Sequence, residues 1–168
     1  EYGILSIYNN VMKYIILIIG LNMQSYSMRI YWDYEGEERY DYLSTMFIYF
    51  VSSALIITLI GVVFSRYIVD FVKPGTFVIY FLGLLGAGLF VITDYVLRIL
   101  KVQYKSKELL KNNLYSSVIN HLSSVGLINY GGLGIIGRQL GKIVGSISLF
   151  ALLFSNSPLK GKLRLVLN

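Results

Sequence analysis

Residues 42–65 read YLSTMFIYFVSSALIITLIGVVFS, 24 consecutive residues without a charge between Asp41 and Arg66. At about 1.5 Å of rise per residue such a run is long enough to cross a hydrocarbon core of about 30 Å. A second run lies just beyond it: 74–93, PGTFVIYFLGLLGAGLFVIT, 20 residues between Lys73 and Asp94. Pro74 opens it, at a helix start where a missing N–H costs nothing. Together these runs set the fold class: an all-α, membrane-embedded helical bundle with two secure spans, about 44–65 and 74–97.

The rest of the chain is consistent with that solvent. Of its 168 residues 55% are hydrophobic and 14% charged, with a mean hydropathy of +0.63. An ordinary soluble domain carries more charge, and a disordered chain needs low hydrophobicity. Upstream, Lys13 interrupts an apolar run whose strongest part is YIILIIGL at 14–21, which reads either as a short N-terminal span or as an interfacial helix with a snorkelling lysine. Downstream, 112–137 has no formal charge but holds Asn112, Asn113, Asn120, His121, Asn129 and four serines, too polar for a helix facing lipid all round. After RQLGK at 138–142 comes the 17-residue apolar run IVGSISLFALLFSNSPL. The two pieces read as a glycine-rich helical hairpin over 115–159. No repeat or linker divides the chain, so 1–168 is taken as one unit. The first residue is Glu1 rather than Met, which is the expectation for a processed, truncated or excised segment.

Charge is unevenly distributed. Residues 1–43 carry a net −3, 44–94 are balanced, and 95–168 carry +9. The acidic section 24–43, rich in Tyr and holding Trp32, reads as a loop lying at the headgroup level or as a cap on the helix ends. Segment 98–114, RILKVQYKSKELLKNNL, reads as a basic amphipathic connector or a solvated one. If the acidic loop is external and the short loop 65–74 internal, a single crossing of 75–97 leaves the basic connector external, against the positive-inside rule. Three readings answer this conflict: a re-entrant 75–97, a partner subunit that neutralises the bases, or insertion from outside.

Catalysis finds little support. There is no cysteine, and the lone His121 has no carboxylate within a helical turn to orient it. GGLGIIG at 131–137 lacks the Gly-Lys-Ser/Thr ending of a phosphate loop. No enzyme activity, cofactor, metal or nucleic acid is expected. His121 reads as a packing residue or as a proton-sensitive group in a channel. Asp94 stands four residues before Arg98 and can pair with it on one helix face; a proton-carrying carboxylate is the other reading.

The strongest constellation is a stripe of small residues. Gly137, Gly141 and Gly145 recur every four residues, preceded by Gly134, with Arg138 and Lys142 on the neighbouring stripe. Each glycine costs up to about 1 kcal/mol of helix stability relative to alanine, so the stripe implies close approach of another helix. Gly83 and Gly86 mark a similar small face within the second span. Asn120, His121 and Asn129 are the candidates for a polar lining. In composition the 115–159 section resembles pore-forming bacterial toxin domains with hydrophobic hairpins and glycine zippers, and the resemblance implies self-association and ion passage. A membrane-permeabilising domain is accordingly the leading expectation for an integral membrane protein of this kind, with anionic lipid headgroups as its first partner. The alternative is a non-catalytic subunit of a larger membrane assembly, for example one accessory to energy transduction. A small standalone transporter comes third.

Overall fold

The structure is a computed structural model that describes residues 2–21, 23–72, 77–103 and 105–155. Its elements are seven helices, and no strand occurs among the described residues: α1 (Tyr2–Gly20), α2 (Met23–Ile30), α3 (Gly36–Val63), α4 (Ser65–Val72), α5 (Phe77–Val102), α6 (Ser106–Asn129) and α7 (Gly134–Ser155). By length and composition α3, α5 and α7 can each cross a membrane. The fold class is therefore the expected all-α helical bundle, and the hairpin contributes a third helix long and apolar enough to cross.

The helices overrun the apolar runs that announce them. α3 starts at Gly36, with Glu37 and Glu38 in its first turn, where carboxylates complement the partial positive charge of a helix N-terminus. α5 runs on past Asp94 to Val102 because Asp94 and Arg98 pair across one turn, Nε to Oδ2 at 2.7 Å. The role given to Pro74 lies outside the described residues.

α5 is the axis of the bundle. It runs antiparallel to α3: Gly88 faces Ala54, while at one end the Tyr95 hydroxyl donates to the Leu43 carbonyl at 3.0 Å. Phe50 packs on the Tyr95 ring, centroids 4.8 Å apart, and both are fully buried. α1 packs against both α5 and α3 and runs parallel to α5. Ser53 of α3 donates to the Ile19 carbonyl at 3.0 Å, tying the end of α1 to the middle of α3. α7 packs along α5, with Ile143 against Gly86, and its Phe150 and Phe154 reach Phe47 of α3. α7 thus also runs parallel to α5, and α6 returns antiparallel between them in sequence, closing the hairpin against α7.

Two segments differ from their sequence reading, and for a third the structure selects between two readings. The stretch 65–74, read as a loop, is helical through Val72 with Val69 buried. The acidic 24–43 section takes the second of its two readings, a packed cap: α2 occupies its first part, and Tyr31, buried, accepts a hydrogen bond from Gln103 at 3.2 Å. Arg39 is held over the Tyr31 ring at 4.7 Å and bonds the Tyr34 carbonyl. The basic 98–114 section is not one connector. Arg98–Val102 close α5, and from Ser106 onward the chain is α6.

These contacts recast the charge conflict. α5 is an unbroken helix from Phe77 to Val102, so it is not re-entrant. The Tyr31–Gln103 bond places the acidic cap and the basic end of α5 at the same end of the bundle. Residues 24–43 carry five acids and two bases, and residues 94–111 carry five bases and two acids, so the two sections sum to zero. The basic segment thus lies beside a section of opposite net charge. Toward the opposite end lie Arg66 on α4 and Arg138 on α7.

Candidate functional site

The hairpin interface is built by the glycine stripe. A Cβ at Gly141 would fall on the Ser124 hydroxyl and within 2.6 Å of the Ser124 backbone nitrogen. At Gly145 it would meet Asn120 Cβ at 2.7 Å, and at Gly137 the Leu127 carbonyl carbon at 3.0 Å. All three glycines are buried against α6 of the same chain. Ser116 donates to the Gly145 carbonyl at 3.0 Å, and Ser124 donates to Asn120 Oδ1 at 3.3 Å. The stripe is thus occupied within the chain rather than left free for a second copy.

The other small residues divide. Gly134 belongs to the turn: it opens α7 at φ +49°, where glycine is favoured, and a Cβ there would touch nothing within 4 Å. Gly86 has only ordinary clearance, 3.9 Å to Ile143. Gly83 is buried and, with Gly86, lines a crevice of about 520 Å³ between α1, α5, α6 and α7.

That crevice gathers the candidate polar groups. Asn9 and Lys13 come from α1, Asn120 from α6, and Gln139, Lys142 and Ser146 from α7. Its apolar wall includes Met12, Ile16, Phe90 and Ile143. No acidic residue lines it. Lys142 is half-buried and Lys13 exposed, and neither has an ion-pair partner among the described residues. Gln139 is 6% exposed, with its Nε2 buried and without a hydrogen-bond partner. A cavity of this size is in the range that holds small molecules, and unpaired cations at helix depth mark functional surfaces.

The remaining candidates lie elsewhere. His121 and Asn129 are exposed on the outer side of α6, so of the three residues expected to form a polar lining only Asn120 does so. Arg138 is exposed near the start of α7. Asp94 and Arg98 form the expected pair, and Arg98 also donates to Ser25 Oγ at 3.3 Å, which makes the pair a tie between α5 and α2. Sequence reasoning missed Gln139 and Asn9. Their signal is positional: Asn9 stands four residues before Lys13 and Gln139 three before Lys142, one helical turn in each case.

The outer side of α6 is unlike its inner side. Leu110, Leu114, Val118, Leu122 and Val125 form an exposed apolar ladder, with Leu122 69% exposed. Lys111, Ser117 and His121 interrupt it, all exposed. No family model, curated protein or solved structure matches this chain.

Proposed function

We propose that the chain is a non-catalytic integral membrane subunit that docks onto a partner membrane protein through the outer face of α6. The observation that carries this reading is where α6 lies and what it presents. α6 is packed along the length of α7, a helix able to cross a membrane, yet is not itself one of the apolar candidate spans. Its inner polar residues are used against the glycine stripe. Its outer face carries Ser117 and His121 in mid-helix, where hydrocarbon offers no hydrogen-bond partner. A neighbouring protein helix supplies both the apolar contact for the leucine ladder and partners for these polar groups.

The chain has no cysteine, so single-cysteine variants report one position each. Leu122→Cys and Val118→Cys, cross-linked in the native membrane, should yield a discrete heavier adduct. Leu59→Cys on the exposed side of α3 should not, because Leu59 is flanked by the exposed Leu55, Ile56, Ile60 and Val63, a surface suited to lipid. Adduct formation no greater at Leu122 than at Leu59 would overturn the docking reading, and a product of twice the chain mass would assign the face to self-association.

The cationic crevice supports a second reading, that of a membrane-permeabilising domain whose Lys13 and Lys142 attract anions. Under it, the protein alone should dissipate a potential across lipid vesicles, and Gly141→Leu should weaken the leak by splitting the hairpin. Vesicles that stay tight at high protein loading exclude this reading.

A further inference from the structure

We infer that the crevice between α1, α5, α6 and α7 is a binding site for the phosphate headgroup of an anionic phospholipid, clamped by Lys13 and Lys142 together with Asn9 and Gln139. The inference stands apart from the docking role of α6, since none of these four residues lies on that helix.

The argument begins with helix direction. α1 and α7 both run parallel to α5, and a side chain on an α-helix leans toward its own N-terminus. Both lysines therefore rise toward the same end of the bundle, where α1 and α7 begin. One turn nearer that end each helix presents an amide, Asn9 before Lys13 and Gln139 before Lys142. Two parallel helices thus offer the same arrangement, a cation with an amide one turn above it, into one cavity. Lys142 lies eight residues beyond Gly134, about 12 Å along the helix, and its four-carbon stem recovers much of that depth toward the headgroup level.

Hydrogen-bond inventory then selects the ligand. An ammonium has three donors and no acceptor, and the Gln139 Nε2 donor is buried without a partner. The Asn120 carbonyl oxygen already accepts from Ser124. The crevice is rich in unsatisfied donors, and no carboxylate lines it. An oxyanion with several lone pairs completes such a site, and charge-assisted bonds are the strong ones. Size and wall narrow the choice further. A volume of about 520 Å³ exceeds what a bare phosphate fills, and Met12, Ile16, Phe90 and Ile143 provide an apolar wall for the start of an acyl chain. Arg138, exposed near the start of α7, adds a further cation toward this end and favours the same partner.

The test uses the whole chain in detergent, with native mass spectrometry and thermal unfolding as readouts. Phosphatidylglycerol should remain bound and raise the unfolding temperature, whereas phosphatidylcholine at the same concentration should do neither. Lys142→Gln should weaken phosphatidylglycerol binding roughly tenfold, the scale of one lost hydrogen bond to a charged group. Lys13→Gln should act in the same direction, and because Lys13 is exposed its replacement leaves the packing intact. The paired control Lys107→Gln with Lys111→Gln removes two exposed cations from α6 and should leave binding unchanged. Three results would each overturn the assignment: equal binding of both lipids, equal loss in the control, or full stabilisation by inorganic phosphate alone, which would give the site to a free anion.

Discussion

The α3–α5 pair and the α6–α7 pair are both antiparallel helix pairs, and they are held by opposite means. α3 and α5 meet through large side chains. Phe50 lies on Tyr95, and Leu84 fills the space beside Gly61. α6 and α7 meet through the absence of side chains, with three glycines set directly against the backbone and short polar groups of Leu127, Ser124 and Asn120. In lipid, apolar contact between helices gains little over contact with acyl chains, so close approach and interhelical hydrogen bonds carry more of the association. The second pair is therefore intolerant of added volume, and the first intolerant of lost shape.

The sharpest way to break this contrast is Gly141→Leu. Its side chain has no space between Gly141 and the Ser124 backbone, and the expected cost is about 3 kcal/mol or more, read as a fall in unfolding temperature in detergent. A next, smaller effect belongs to the other pair. Tyr95→Phe removes the bond to the Leu43 carbonyl while keeping the ring on Phe50, and should cost about 1 kcal/mol by the same measurement. Gly86→Ala should move stability the other way. A methyl there meets Ile143 at 3.9 Å, an ordinary contact, so the gain in helix propensity of up to about 1 kcal/mol is available. If Gly86→Ala destabilised as strongly as Gly141→Leu, the distinction between a close-approach glycine and a merely small residue would fail. The smallest effect is that of Asp94→Asn. The Asp94–Arg98 pair is partly exposed, at 21% and 36% for the two side chains, and its loss should cost about 0.5 kcal/mol, diminishing with added salt.

These pairs were legible to different depths. The uncharged runs at 42–65 and 74–93 identify α3 and α5 because crossing hydrocarbon imposes a length that no other element shares. The spacing of Gly137, Gly141 and Gly145 identifies a close-packing face, and the spacing of Asp94 and Arg98 identifies a pair, because both are local to one helix. What a face meets is not local. The stripe could serve a second copy equally well, and only the fold assigns it to Ser124 and Asn120. The sidedness of α6 was hidden for a related reason: averaged along the chain its serines, asparagines and leucines cancel, and His121 reads like Asn120 although the two face opposite ways. The crevice was least legible, since it joins Lys13 to Lys142 across 129 positions through the shared direction of two helices. Segment 65–72 was read as a loop for its charges, although its buried Val69 makes it a short packed helix.

The hairpin also fixes an order of events in biosynthesis. α6 is not one of the candidate spans, and the surface that covers its inner face, including the Gly145 carbonyl that accepts from Ser116 and the glycines set against Asn120 and Ser124, is made by residues that emerge from the ribosome later, at 137–145. The inner face of α6 is therefore uncovered until α7 has been made, and the two helices complete each other only as a pair. A chain terminated in the 130–133 turn would leave Ser116 without the Gly145 carbonyl and the inner side of α6 without its glycine cover.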